Sequence, residues 1–152
     1  MAPASCNVRP GTAGDLEAVA RIQALSPETA QWTVADFLAH DFLVAERDGR
    51  VAGFLVARHV VAGEYEVLNL AVDPVWRRQG VARRLFENWA AVHSGTVYLE
   101  VRESNTPAIT FYNSIGFQSV GRRPEYYYQP VEAAVVMRIQ PCYSVGGRSE
   151  PS

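Results

Sequence analysis

The positions of the apolar residues predict strands in several parts of the chain. Runs rich in Val, Leu and Phe cover Phe42 to Glu46 and Val51 to Val61, and Asp48-Gly49 between them is a strong hairpin signal. A third run, Tyr65 to Val72, ends at Asp73-Pro74. We expect these three strands to form an antiparallel meander. Further strands are predicted at 6–9, 96–101, 117–120 and 135–139.

Apolar residues at helical spacing predict helices between these strands. The first helix begins after the N-cap Thr12 and ends near Leu25. A second, short helix is predicted over 34–40, and a third begins at Val81, with Gly95 expected to close it as a left-handed residue. The apolar positions expected to face the core are, in the first helix, Leu16, Val19, Ala20 and Ile22, and in the third, Val81, Leu85, Trp89 and Val92.

A fourth helix, Ala108 to Ile115, completes the pattern, with Thr106 as its cap, Pro107 at its start and Gly116 as its end. The order of elements predicts an α/β (α+β) fold, a mixed, mostly antiparallel sheet of about six to seven strands flanked by about four helices. We expect one domain over 1–140. The tail, 141–152, is rich in Pro, Gly and Ser and is predicted to be flexible.

Composition narrows the classes of function. The chain has 152 residues, of which 48% are hydrophobic, and this is enough for one domain with a real core. The net charge of −2 disfavours nucleic acid as the main partner. All 14 positively charged side chains are Arg. The lack of Lys excludes an internal Schiff base and the lysine of a phosphate-binding P-loop.

Location and metal binding are judged from what the sequence lacks. Met1 to Pro10 has no apolar stretch of signal-peptide length, and no run approaches the ~18 apolar residues of a membrane span. We therefore expect a cytoplasmic protein with no membrane partner. Cys6 and Cys142 belong to no CxxC motif and are expected to be reduced thiols. The three histidines share no metal-like spacing, so no metal site is predicted.

The segment Arg77 to Ala82 is the strongest candidate for ligand binding. It joins the end of a predicted buried strand to the start of a helix, where unpaired N–H groups and a partial positive charge favour a pyrophosphate. Four arginines, Arg77, Arg78, Arg83 and Arg84, add positive charge around it. The alternative is a tight turn with solvated Arg side chains.

Leu70 to Pro74 followed by Arg77 to Ala82 resembles the R/Q-x-x-G-x-G/A signature of the GNAT acetyltransferases, with Ala82 as a normal variant of the last position. Leu99 to Arg102 and Phe111 to Phe117 are similar to the RimI-type branch, the ribosomal-protein N-terminal acetyltransferases. The similarity extends over about 8–139.

The resemblance implies acetyl-CoA as the cofactor and assigns residues to it. The strand around Ala71 would splay from its neighbour at a bulge, and the backbone groups of Leu70 and Val72 would hold the pantetheine arm. Amides from Arg78 to Ala82 would bind the pyrophosphate, Asn105 would hydrogen-bond the arm, and Tyr112 would stand near the sulfur. The full predicted cofactor set is Leu70, Ala71, Val72, Arg77, Arg78, Gln79, Gly80, Val81, Ala82, Arg83, Asn105 and Tyr112.

Acetyl transfer to an amine needs a base for the amine and a proton for the departing thiolate. Glu100 lies inside an apolar strand, where partial burial is expected to raise its pKa toward that of a general base. The alternative is an ion pair with Arg102, two residues along on the same face. Tyr112 is the predicted acid, and a core tyrosine with a satisfied hydroxyl is its alternative.

The acceptor side is less well defined by the sequence. Trp32 lies in a polar loop that is expected to shape a binding site. The resemblance to the family favours Tyr126 and Tyr127 as substrate contacts, with edge-strand packing as the alternative. Two segments, 26–32 and 132–134, depart from the RimI pattern: the first is longer and more polar, and the second reads Glu-Ala-Ala instead of Glu-Asp-Ala.

The resulting functional hypothesis is direct N-acetylation of a primary amine, with the N-terminal α-amine of a protein or peptide as the leading acceptor and a ribosomal protein as one candidate. Acetylation of a small-molecule amine and non-catalytic sensing of acyl-CoA are the alternatives. The protein is expected to be a monomer or a weak dimer.

Overall fold

The computed structural model describes residues 6–28 and 31–140. The described residues contain seven strands: β1 Asn7–Pro10, β2 Asp41–Arg47, β3 Arg50–Val61, β4 Glu64–Val72, β5 Thr96–Arg102, β6 Gln118–Tyr127 and β7 Glu132–Ile139. They also contain three α-helices, α1 Leu16–Ala24, α2 Val81–Ala90 and α3 Thr106–Ser114, and three 3₁₀ segments, Ala13–Asp15, Val34–Ala39 and Pro74–Trp76.

The strands form one sheet in the order β1-β2-β3-β4-β5-β7-β6. β1 with β2, β2 with β3, β5 with β7, and β6 with β7 pair antiparallel, whereas residues 64–66 of β4 pair in parallel with residues 96–98 of β5. The predicted mixed, mostly antiparallel sheet is therefore confirmed. The four predicted helices are also present, the second of them as the 3₁₀ segment Val34–Ala39.

The predicted hairpin between β2 and β3 is confirmed. Asp48 and Gly49 both have positive φ, 53° and 74°, as a two-residue hairpin turn that matches the twist of its strands requires. The turn brings Arg47 and Arg50 opposite each other at the start of the ladder.

The chain divides into two compact units, and the first contains described residues 6–28, 31–58 and 68–92. Its core joins α1 to the 3₁₀ segment Val34–Ala39 and to β2 and β3. Of the predicted helix positions, Val19 and Ile22 are fully buried, but Ala20 is exposed because it points away from the sheet. The core side chains of this unit are Val19, Ile22, Phe37, Phe42, Val44, Val51, Phe54, Val56 and Ala71.

An ion-pair network fastens β1 to its neighbours in the first unit. Arg9 donates to both carboxylate oxygens of Asp15, at 2.8 and 2.9 Å, and to Glu46 of β2 at 2.8 Å. Asp15 also accepts from the backbone N–H of Thr12 at 2.8 Å. The hydrogen bond from Arg9 is the main cause that lowers the pKa of Asp15 to about 2.

The second unit contains described residues 59–67 and 93–140. α3 ends at Ser114, and Gly116, two residues further on, has a φ of 112°, as predicted for the glycine that closes this helix. The buried hydrophobic side chains of this unit come from the end of its β4 segment, β5, α3, the residue before β6, and β7: Val67, Val97, Leu99, Val101, Tyr112, Phe117, Ala133, Ala134 and Met137.

Two predicted helix ends are wrong. α2 ends at Ala90, Val92 is exposed, and Gly95 is not left-handed. Gly95 is required for space instead, because a Cβ there would lie 2.5 Å from the carbonyl oxygen of Gly63. In α3 the capping residue is Asn105, whose side chain accepts from the N–H of Ala108 at 3.2 Å, and not Thr106.

Further predictions concern the length of β6, the two cysteines, the tail, and membrane and metal binding. β6 extends well beyond the predicted strand 117–120. Cys6 is a buried free thiol, whereas Cys142 and the predicted tail 141–152 lie outside the described residues. Within residues 6–28 and 31–140, no helix has the length and apolarity needed to cross a membrane, and no cluster of metal-ligating side chains is found.

Candidate active site

In the first unit, the segment between β4 and α2 is fixed at its start by Asp73. Its backbone N–H donates to the carbonyl of Ala52 at 2.8 Å, and its side chain accepts from the N–H of Val75 at 3.0 Å. Arg21 of α1 pairs with the same carboxylate at 3.1 Å. The chain therefore leaves β4 in a defined direction before it reaches the candidate phosphate-binding residues.

The backbone of this segment turns through two left-handed residues. Arg78 has a φ of 64° and Gly80 a φ of 82°, and α2 begins directly afterwards at Val81. A Cβ on Gly80 would meet nothing within 4 Å, so the glycine serves the conformation and not a close contact. Gly80 has no side chain with which to cap the helix, and the first turn of α2 has no acidic residue. The first amides of α2 are thus suited to an anion.

Several arginines of this segment have protein partners. Arg77 donates to the carbonyl of Val72 at 3.1 Å and to the hydroxyl of Ser26 at 2.9 Å. Arg84 donates to the carbonyl of Cys6 at 2.8 Å, and Arg83 pairs with Glu87 at 3.4 Å. Arg77 and Arg84 therefore help to hold the segment in place.

The 3₁₀ segment Pro74–Trp76 is supported by an arginine that the sequence did not single out. The guanidinium carbon of Arg47, at the end of β2, lies 4.8 Å from the ring centroid of Trp76. Arg47 is buried, and among the described residues its Nε has no hydrogen-bond partner. The stack therefore positions the chain just before the two left-handed residues.

In the second unit, the candidate base Glu100 lies in β5 with a side chain that is 13% exposed. Arg123 of β6 pairs with it, with 2.5 Å between Nε and Oε2. Tyr126 donates its hydroxyl to the same side chain, and burial together with this hydrogen bond raises the pKa of Tyr126 to about 12. The carboxylate is therefore held by two side chains of β6, which is separated from β5 by β7 in the sheet.

The predicted alternative for Glu100, an ion pair with Arg102, names the wrong partner. Arg102 pairs with Glu132 at 3.2 Å, and its guanidinium carbon lies 4.4 Å from the ring centroid of Tyr127. Glu132 also accepts from the N–H of Ser104, and these contacts lower its pKa. Arg102 is thus committed to the junction between β5, β6 and β7.

Tyr112 lies in α3 and is 8% exposed. Its ring packs edge-on against Phe111 and Phe117, with centroid distances of 5.3 and 5.4 Å. Burial is the main cause that raises the pKa of its hydroxyl, and the nearby Tyr127 adds to the effect. At neutral pH Tyr112 is therefore a phenol and not a phenolate.

Comparison with known proteins identifies the family. The family model described as an acetyltransferase (GNAT) domain matches residues 39–119, more than half of the chain. The chain belongs to the GNAT acetyltransferase family.

Individual GNAT proteins agree with this result. N-alpha-acetyltransferase RimI of Mycobacterium tuberculosis is 45% identical over 76 residues, which are 49% of this chain and 48% of that protein. Ard1 from Thermoplasma volcanium has 31% identity and a TM-score of 0.81 over 90% of this chain and 97% of its own. The ribosomal-protein-S18-alanine N-acetyltransferase of Escherichia coli has 27% identity and a TM-score of 0.76 over 97% of this chain and 100% of its own.

The matched part of the chain spans less than two thirds of several curated relatives, 24, 48 and 57% of the length of three of them. These matches support the predicted resemblance to RimI.

Two predicted site residues, Asn105 and Trp32, have structural partners in this chain. The side-chain oxygen of Asn105 caps α3, which leaves its amide nitrogen and one lone pair of that oxygen for the predicted contact with the pantetheine arm. The main chain of Trp32 exchanges two hydrogen bonds with the side chain of Gln23, at 2.8 and 3.1 Å, and Asn69 donates to Gln23 at 2.8 Å. The indole of Trp32, in a residue that is 42% exposed, is thus presented by a buried polar network.

The residues that sequence reasoning missed are those whose role depends on tertiary contacts. Arg123 contacts Glu100 from β6, a strand whose register is irregular on both sides of Arg123, and no periodicity reveals such irregularities. Gln23 and Asn69 are the clearest missed signal: each is a polar residue at a position of a helix or strand that the pattern assigns to the core. A buried polar pair of this kind indicates a segment that is being held in place.

Proposed function

We propose that this chain transfers the acetyl group of acetyl-CoA directly to a primary amine, the N-terminal α-amine of a protein or peptide. The RimI and ribosomal-protein-S18-alanine relatives support an N-terminal acceptor by their names. Acetyl-CoA supplies the activated acyl group, and the side chains of this protein supply the proton transfers.

The residues present fit the diphosphate of coenzyme A. Arg78 and Gly80 adopt left-handed conformations, which occur in the backbone concavities that bind anions, and the first turn of α2 follows at once. We propose that amides from Arg78 to Ala82 bind the diphosphate and that Gln79, Val81 and Arg83 contribute main-chain or side-chain contacts around it. The backbone of residues 70–72 is proposed to hold the pantetheine arm. The carbonyl of Val72 already accepts from Arg77, which leaves one lone pair of that oxygen.

The observation that carries the proposed chemistry is the environment of Glu100. It is a largely buried carboxylate in a strand, and two side chains hold it in one orientation. A base in fixed orientation can take a proton from an amine without the cost of ordering it during the reaction. We propose that Glu100 accepts this proton, directly or through a water.

Tyr112 is proposed to donate its phenolic proton to the departing thiolate. A phenol that stays protonated at neutral pH fits this role, and the aromatic contacts on both sides fix its ring. Tyr126 and Tyr127 are proposed to contact the acceptor, as is Trp32.

Mass spectrometry of a set of short peptides after incubation with acetyl-CoA tests this function. We expect a mass gain on peptides with a free N-terminus and none on the same peptides with blocked N-termini. Glu100→Gln is expected to lower kcat by about 10²-fold or more, whereas CoA affinity is retained.

Glu103→Gln is the matched control. Glu103 follows the same strand, pairs with Arg122 and is 45% exposed, so we expect its kcat to stay within about twofold of wild type. Absence of acetylation across the peptide set would contradict the proposal, as would equal effects of the two substitutions. An inert protein that still binds CoA would support the acyl-CoA sensor instead.

A further inference from the structure

We infer that Arg123 is an exchangeable counter-ion for Glu100, whose place the ammonium group of the acceptor takes when it binds. This inference rests on the proposed function, because it assigns the acceptor amine to Glu100. It gives Arg123 a role in acceptor affinity and selectivity for cationic amines.

The two partners of this ion pair differ in exposure. The side chain of Glu100 is 13% exposed, whereas that of Arg123 is 61% exposed. The guanidinium carbon of Arg123 also lies 5.5 Å from the ring centroid of Tyr126, which itself donates to Glu100. The arginine therefore covers a buried carboxylate from the solvent side, and an incoming amine must meet it.

An irregularity in β6 produces this arrangement. Arg123 stands opposite Ala134 and Tyr127 opposite Glu132, so residues 124–126 of β6 face one residue of β7. Glu125 within this bulge has a φ of 53°. Bulges of this kind redirect side chains, and here both Arg123 and Tyr126 reach the same carboxylate.

Two neighbouring ion pairs in the same unit are built differently. Both side chains of the pair between Arg102 and Glu132 are 17% exposed, which describes a closed structural contact. The side chains of Arg122 and Glu103 are 56 and 45% exposed, which describes a surface pair. The pair between Arg123 and Glu100 combines a buried anion with an exposed cation.

A buried anion paired with an exposed cation favours replacement of the guanidinium by another cation over loss of the ion pair without a replacement. A buried carboxylate is costly to leave without a cation, whereas an exposed guanidinium can return to water at little cost. When the ammonium group replaces the guanidinium, one positive charge takes the place of another, the carboxylate stays paired, and the hydrogen bond from Tyr126 keeps it oriented. The acceptor proton is then already at Glu100, the residue proposed to receive it.

The test compares Arg123→Gln with Arg122→Gln, which removes one positive charge from the preceding residue of the same strand. The probe is a short peptide with a free N-terminal alanine, titrated by calorimetry into protein saturated with CoA so that no turnover occurs. If Arg123 competes with the ammonium group, Arg123→Gln binds the peptide about two- to fivefold more tightly than wild type, the range that an exposed ion pair allows. Arg122→Gln and Arg123→Lys bind it as wild type does.

Two controls separate exchange from a general change of the site. The same peptide with an acetylated N-terminus has no ammonium group, so its affinity is expected to be equal in all variants. In a Glu100→Gln background the gain from Arg123→Gln is expected to vanish, because the carboxylate for which the two cations compete is gone.

Failure of this inference can be told from failure of the proposed function. A wild-type protein that acetylates peptides, with Arg123→Gln binding the probe no more tightly than Arg122→Gln does, overturns the inference alone. A wild-type protein that neither binds nor acetylates the peptide overturns the proposed function, and the inference with it.

Discussion

At the scale of single residues, one substitution at Tyr112 can separate its proposed role as a proton donor from its role in packing. Its ring is part of an aromatic cluster, and its hydroxyl is the group proposed to donate a proton. Tyr112→Phe keeps the ring and removes only the hydroxyl. We therefore expect kcat to fall by about 10²-fold in steady-state assays, while the thermal unfolding midpoint changes little.

The pH dependence of the same reaction gives a second observable. Because burial raises the pKa of Tyr112, deprotonation of this acid is not expected to limit the rate below about pH 10, the ordinary value for tyrosine.

Tyr128→Phe is the matched control for Tyr112→Phe, since Tyr128 is 71% exposed. Equal rates for Tyr112→Phe and Tyr128→Phe would show that Tyr112 is a packing residue only.

The ion pair between Arg9 and Asp15 makes the free energy of unfolding depend on pH. The pKa of about 2 for Asp15 in the folded protein lies below the value of about 4 for an unfolded Asp, so its contribution is fully present above pH 4 and is lost as the pH falls toward 2. This difference corresponds to about 2 kcal/mol of the free energy of unfolding. Asp15→Asn is expected to lose about that amount at neutral pH in urea denaturation.

The difference in the free energy of unfolding between Asp15→Asn and wild type is expected to become smaller as the pH falls from 4 to 2, because wild type loses the stabilisation by Asp15 in this range. Asp36→Asn, at an exposed position of the same unit, is expected to have little effect at either pH. A gap that stays constant with pH would contradict the ion-pair explanation.

The position of a candidate site residue could be predicted where it depends on the local pattern of apolar and polar residues. The alternation of β5 places Glu100 in a strand among buried neighbours, as predicted, and the glycine-containing turn before α2 is confirmed. The partners of Glu100 could not be predicted, because Arg123 and Tyr126 belong to β6, which is not adjacent to β5 in the sheet, and Tyr126 lies in a bulge where Glu125 has positive φ, a conformation for which glutamate carries no sequence signal.

At the scale of elements, Gly95 gives a direct prediction. Thr96 donates its N–H to the carbonyl of Gly63 at 2.9 Å, which brings the start of β5 against the turn before β4. Gly95→Ala would place a Cβ 2.5 Å from that carbonyl oxygen. We expect a loss of about 1–3 kcal/mol in the free energy of unfolding, measured by chemical denaturation.

Gly14→Ala is the control for this substitution. Gly14 has only the hydroxyl oxygen of Thr12 near the position of an added Cβ, at 3.7 Å, and its φ is not in the left-handed region. We expect its stability to be unchanged or slightly increased. If Gly95→Ala were as stable as Gly14→Ala, the close approach of the two backbones would not restrict this position.

The elements differ in how well pattern predicts them. Strands with buried faces, such as β3 and β4, were predicted nearly to their ends because their apolar runs are long. β6 was predicted too short, since nearly all of its residues are exposed and it contains Gly121 and Pro124. An edge strand of this composition is defined by its pairing with β7, which pattern alone does not contain.

At the scale of the whole molecule, the chain has the fold of the GNAT family. One departure from the RimI pattern, at residues 132–134, now has a structural description: Glu132 is engaged by Ser104 and Arg102, and Ala133 and Ala134 are buried. An acidic side chain at 133 would therefore be costly to bury in this chain. In the other departure, 26–32, residues 29–30 lie outside those described.

Calorimetric titration tests most directly the claim that the turn before α2 binds the diphosphate of coenzyme A. Wild-type protein should bind CoA and acetyl-CoA with one site per chain, and it should bind pantetheine, which lacks the diphosphate, far more weakly. Absence of any association with CoA, or equal affinities for CoA and pantetheine, would contradict the claim.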